Sequence, residues 1–168
     1  PETFRRSIEA GACERDLKAI PVKEGHCHFL PSGIVHALGA GILAAEVQTP
    51  SDTTYRVYDF NRVDPSTGKP RKLHIEQALA CIDFSGREVA QPRSHVAGYW
   101  TTVTRLVTSP FFKVEKVRFV EGVEDPVPYD QPVVWMMLEG QAEIRVADLK
   151  EPVTLARGDT VLLPARMN

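Results

Sequence analysis

Residues 22–41 read VKEGHCHFLPSGIVHALGAG, and they hold three of the chain's five histidines, His26, His28 and His36, around a Pro-x-Gly turn. Short apolar runs broken by Gly and Pro have the texture of strands and turns. Outward from this stretch the same texture continues through GILAAEV (41–47) and TTYRVYDF (53–60). The cluster DPSTGKP (64–70) predicts a turn, and KLHIEQALACIDF (72–84) places Ile75, Leu79 and Ile82 at helical spacing. Strand-like runs then return as WTTVTRLV (100–107), FFKVEKVRFV (111–120), PVVWMMLEGQAEIRV (132–146), EPVTLA (151–156) and DTVLLP (159–164). Glu139-Gly140 reads as a hairpin turn, and Trp135, Met136 and Met137 as core. The first twenty residues read as two short helices broken at Gly11, with Phe4 and Ile8 at i, i+4 and Leu17 and Ile20 at i, i+3.

Length and composition bound the remaining possibilities. The 168 residues suit one domain or two small ones, and 43% apolar residues suffice for a core. Twenty basic residues against 22 acidic ones leave a charge of −2, which is no footprint for nucleic acid. No apolar run reaches membrane-spanning length and no signal peptide is visible. Cys13, Cys27 and Cys81 are widely spaced and odd in number, which fits a reduced, cytoplasmic protein. The chain starts at Pro1 without a methionine and stops at Asn168 without a helix stop signal, so a fragment of a longer polypeptide is expected.

Two segments share a pattern. Gly25 is followed by five residues and Pro31, and Gly158 by five residues and Pro164. A short apolar stretch precedes each proline. Two copies of one β-unit about 130 residues apart predict two related β-barrels. The first copy continues with Gly33 and, after two residues, His36. This is similar to the second motif of the cupin superfamily, G-x5-P-x-G-x2-H-x3-N, with Ala40 in place of the final Asn. The spacing has a physical sense: a strand enters a Pro-Gly turn, and the next strand opens with a histidine directed into the barrel.

The residues that follow narrow the resemblance. GILAAEVQTPSDTTYRVYDFNR and GKPRKLHIEQAL resemble type I mannose-6-phosphate isomerases, zinc-dependent bicupin enzymes that interconvert mannose 6-phosphate and fructose 6-phosphate. The likeness is specific from about residue 22 to 84. It is looser through VVWMMLEGQAEIRV and GDTVLLP, which are similar to the family's non-catalytic cupin. The resemblance implies a mainly β fold of cupin (jelly-roll) barrels in a bicupin arrangement, with short helical connectors and the first barrel incomplete. In that organisation residues 1–20 are a helical segment, and 21–63 the C-terminal half of the catalytic cupin. Residues 64–92 form a turn and helical connector, and 93–168 a truncated second cupin.

Residue by residue, the resemblance makes His36 a zinc ligand, Arg56 the active-site arginine and Glu46 a carboxylate at the mouth of the site. Arg62 falls where a basic residue near the substrate phosphate is expected. The family's other zinc ligands, a Gln, a His and a Glu, and its phosphate-binding lysine and serine lie in an N-terminal region that this sequence lacks. The implied partners are therefore a sugar phosphate and a missing N-terminal segment of the same enzyme, with one zinc ion per complete site and little activity in this piece alone.

Other residues have plainer readings. His26 and His28 have the H-x-H spacing of cupin ligands, but the next glutamate is Glu46, too distant for that ligand set. A structural or surface role fits them, and an iron dioxygenase of the cupin class is disfavoured. His74 reads as a capping or packing residue, His95 has no motif around it, and Arg71 reads as a surface charge. The alternative to an isomerase is a non-catalytic bicupin that binds a sugar or a metal. Retention of His36, Glu46 and Arg56 together favours the enzyme.

Overall fold

The computed structural model describes residues 1–60, 62–86, 93–127, 130–147 and 149–165. Two compact units divide the chain, Pro1–Val120 and Glu121–Asn168. The described residues are mainly β with few helices. The elements are α1 (Glu2–Glu9), a 3₁₀ turn (Cys13–Asp16), α2 (Ile75–Cys81), β1 (Ser94–Ala97), β2 (Thr101–Thr108), β3 (Lys113–Phe119), β4 (Val133–Met136), β5 (Gln141–Ile144), β6 (Val153–Ala156) and β7 (Thr160–Leu163).

In the first unit, Gly11 ends the opening helix as its sequence predicts. It adopts φ +64°, a left-handed conformation that glycine takes without steric cost. Ile8 and Cys13 are buried on either side of that turn, whereas Leu17 is extended and Ile20 is exposed. Helix α1 lies against α2: Arg5 pairs in bidentate fashion with Glu76, and the Phe4 and Phe84 rings meet edge-on at 6.1 Å. Beyond α2, β1, β2 and β3 form an antiparallel sheet in that order. Val96, Val103 and Val117 lie opposite one another across it, and Arg105 and Glu115 pair at 3.1 Å on adjacent strands. Strand β1 has no counterpart among the runs read from the sequence.

Three expectations are corrected here. Residues 26–30, 41–47 and 53–60 form no strand. Their composition suits strands, but a strand needs a neighbouring backbone to take up its N–H and C=O groups. Among the described residues, the ladder pairing near them is limited to the isolated bridge between Val63 and Pro70. Second, Glu139-Gly140 is a turn, with Gly140 at φ +77°, but it joins no hairpin. Strand β4 pairs with β7 and β5 with β6, both antiparallel. Third, Met136 is 45% exposed, because strict alternation along β4 points Val133 and Trp135 inward and Val134 and Met136 outward.

The second unit therefore consists of two ribbons around one small core. Ala142 and Leu155 sit opposite each other in register, as do Ile144 and Val153. Ile144, Leu155 and Leu163 are buried together, with Val133, Trp135, Met137, Val146 and Val161 packed against them. Leu155→Ala removes the centre of this cluster and should cost about 2–5 kcal/mol. Thr154→Ala, on the exposed face of the same strand, should stay within about 0.5 kcal/mol. Urea unfolding of the two variants checks the difference, and equal effects would show that this cluster does not hold the unit together.

Candidate functional site

The Pro-x-Gly turn of the opening stretch is held by helix α2. Gly33 has φ +88°, and a Cβ placed on it would stand 2.8 Å from the Cys81 carbonyl oxygen and 3.2 Å from the Asp83 nitrogen. The Asp83 N–H donates to the Gly33 carbonyl at 3.0 Å. Only glycine satisfies both the conformation and the close approach. Three residues on, His36 is exposed and its Nδ1 lies 2.9 Å from the Ile34 carbonyl oxygen. A carbonyl only accepts, so Nδ1 donates here, and in the neutral ring the lone pair then lies on Nε2. That is the tautomer a metal-ligating histidine uses, with the other ring nitrogen anchored on backbone.

Two of the expected site residues meet at a carboxylate that the sequence reading missed. Asp59 is 7% exposed. Arg62 donates to its Oδ1 at 2.9 Å and, through Nε, to its backbone carbonyl at 3.3 Å. Arg71 donates to both carboxylate oxygens, through Nε at 2.7 Å to Oδ2 and through a terminal nitrogen to Oδ1. Arg56 Nε lies 4.0 Å from Oδ1. Arg71, read from sequence as a surface charge, is thus an anchored member of this cluster. The Arg62 guanidinium also lies 5.5 Å over the Phe60 ring, and Phe60 itself takes φ 52°.

The turn at 64–70 brings these residues together. The Asp64 carboxylate accepts from the Ser66 N–H at 2.8 Å and from its hydroxyl at 2.6 Å, and the Gly68 N–H donates to the Asp64 carbonyl at 2.8 Å. The chain folds back, and Arg71 reaches Asp59 across twelve residues of sequence. At the same place His74 clasps Arg56: the His74 N–H donates to the Arg56 carbonyl at 2.8 Å, and the Arg56 N–H donates to His74 Nδ1 at 3.3 Å. His74 does stand at the N-cap of α2, but its side chain caps nothing there. Its ring serves Arg56 instead. The remaining histidines keep their plain readings. The His26 and His28 rings lie edge-on at 6.2 Å, and His95 Nδ1 lies 2.9 Å from the Thr104 hydroxyl across the β1–β2 pair.

Glu46 is exposed and pairs with no arginine among the described residues. Neither it nor His36 is linked to the Asp59 cluster by a hydrogen bond or ion pair. The described residues contain no group of three or more His, Cys, Asp or Glu side chains placed to hold a metal ion. His36 fits zinc as a single ligand, and the described residues do not complete a zinc centre around it.

The Asp59 carboxyl is held below its ordinary value by hydrogen bonds and charge from Arg71 and Arg62, against the opposing effect of burial. A depressed folded-state value means that this contribution to stability is fully present above about pH 4. It is lost as the pH falls through the folded value. Asp59→Asn should therefore flatten the acid limb of a stability–pH profile; an unchanged limb would mean that the arginines do not stabilise the charged form. Gly33→Ala forces a left-handed alanine against backbone and should cost about 1–3 kcal/mol, measured by thermal unfolding.

Similarity to known proteins follows the same stretch and beyond. No protein-family model matches the chain. The mannose-6-phosphate isomerase of Streptococcus mutans is 41% identical over 166 residues, covering 97% of this chain and 50% of that protein. The probable mannose-6-phosphate isomerase GmuF of Bacillus subtilis is 46% identical over 144 residues, 85% of this chain and 45% of that protein. Among solved structures, the mannose 6-phosphate isomerase of Bacillus subtilis superposes with a TM-score of 0.54 at 25% identity, covering 70% of this chain and 36% of that one. No helix among the described residues is long and apolar enough to cross a membrane. The chain spans about half the length of the curated relatives it matches, and over that half it is a sequence relative of the mannose-6-phosphate isomerases.

Proposed function

We propose that this chain is part of a zinc-dependent, cytoplasmic aldose–ketose isomerase that interconverts mannose 6-phosphate and fructose 6-phosphate. In this reading residues 21–63 are the C-terminal half of a catalytic cupin barrel, 93–168 belong to a second, non-catalytic cupin, and a preceding segment completes the site. The observation that carries the reading is a pair of features in a chain related to proteins of that name. A histidine is anchored on backbone through Nδ1, with no partner at Nε2 among the described residues, and beside Asp59 three guanidiniums against one carboxylate leave an excess of two positive charges.

The reaction moves a proton between neighbouring sugar carbons through an enediol-type intermediate. It needs an acid–base group, stabilisation of charge on oxygen, and a grip on a dianionic phosphate. Glu46, exposed and uncommitted to any arginine, is the group that accepts the proton from one carbon and returns it to the next. Arg56, with its backbone fixed by His74 and its guanidinium near Asp59, stabilises negative charge on the sugar oxygens with planar, paired donors. Arg62 takes the phosphate. His36 would hold zinc through Nε2, and the ion would add electrostatic stabilisation of the same oxygens.

The full-length, zinc-loaded polypeptide should turn over mannose 6-phosphate in a coupled assay. Arg56→Ala should lower kcat/KM by about 100-fold or more with zinc content unchanged, and His36→Ala should lose the zinc. Normal turnover by Arg56→Ala removes that residue from the mechanism. A zinc-loaded protein that binds the sugar phosphate without converting it is instead the non-catalytic bicupin module.

A further inference from the structure

The Asp59 cluster raises a question the reaction does not answer. Three arginines that would serve an anionic substrate gather at a buried acid, which reduces their net charge. A carboxylate at such a place weakens simple attraction for an anion. Its burial and its bonds point to another contribution. Oδ1 accepts from both Arg62 and Arg71, Oδ2 from Arg71, and Arg56 stands at 4.0 Å. Without it, three like charges on long side chains repel one another and disperse.

A count of donors shows what is left over. Each guanidinium carries five N–H groups. Arg62 commits Nε and one terminal nitrogen to Asp59, and Arg71 commits the same pair. The second terminal nitrogen of each has no hydrogen-bond partner among the described residues. Both side chains remain open to solvent, 62% exposed for Arg62 and 42% for Arg71. The acid therefore grips one edge of each fork and leaves the other edge presented.

We propose that Asp59 is a positioning residue that gathers Arg62 and Arg71, beside Arg56, into one site for a phosphate monoester dianion, with Arg71 a binding residue next to Arg62. The identity of the sugar phosphate rests on the isomerase reading; the anion site itself does not. Fixed planar donors select a tetrahedral dianion by geometry as well as by charge. The clasp of His74 on the Arg56 backbone and the fold-back at 64–70 hold the same three residues from the main-chain side.

The test uses the opposite signs of charge and position. Inorganic phosphate is titrated into this chain by calorimetry, comparing wild type, Asp59→Asn, Asp59→Glu and Arg71→Gln. Asp59→Asn adds one unit of positive charge, so charge alone predicts tighter binding. Positioning predicts binding about tenfold weaker, with part of the loss recovered in Asp59→Glu. Arg71→Gln should weaken binding about threefold or more, and it decides the matter if Asp59→Asn loses the helical circular-dichroism signal. Binding by Asp59→Asn as tight as wild type or tighter, no effect of Arg71→Gln, or no measurable binding by the wild type overturns the inference. Because no turnover is read, absence of isomerase activity leaves this result standing. Conversely, an active full-length enzyme whose phosphate affinity ignores Asp59 refutes the positioning role alone.

Discussion

A strand is stable only when another backbone takes up its polar groups, and this requirement decides where β structure forms in the chain. Among the described residues between Ser94 and Leu163, seven strands find antiparallel partners and fold into three small sheets. Between residues 21 and 60 an equally β-prone sequence finds no ladder partner among the described residues and stays irregular. Side-chain composition sets what a segment prefers, but pairing sets what it becomes.

The Asp59 cluster escapes this dependence because it is built from local returns of the chain. A tight turn with an internal carboxylate, a helix start and two side-chain ion pairs need no neighbouring strand. The part of the site nearest α2 is accordingly well defined. Glu46 and the H-x-H, which lie on the unpaired segment away from that turn, are exposed and have no bonds to the cluster.

Local features were legible in the sequence and long-range ones were not. The break at Gly11, the turn at 64–70 and the helix carrying Ile75 and Leu79 all follow from residue chemistry acting over a few positions. The inward–outward alternation of β4 does not, since Met136 reads as core beside Trp135 and lies on the outer face. Which strand pairs with which was not legible, since Glu139-Gly140 has hairpin chemistry and yet joins strands of different sheets. Asp59 was missed because its partners lie three and twelve residues away and their meeting depends on a fold-back, which leaves no periodic trace. The repeated Gly-x5-Pro pattern was visible, and the structure shows what it encodes. In both copies the glycine is left-handed and the next residue's N–H closes a four-residue turn, His26 to Lys23 at 3.1 Å and Asp159 to Ala156 at 3.0 Å. Only in the second copy does a side chain add to it, the Asp159 carboxylate accepting the Ala156 N–H at 2.8 Å.

The seal between Gly33 and the end of α2 has a thermodynamic side. His36 follows a turn that the end of α2 seals by close approach and a backbone hydrogen bond. Presentation of the imidazole and formation of the helix are then linked equilibria, and linkage is reciprocal. Any ligand that captures His36 in this arrangement draws α2 into order by the same free energy that an ordered α2 lends to the capture. A short helix with no ligand of its own thereby becomes part of the affinity of a histidine three residues beyond the turn it holds.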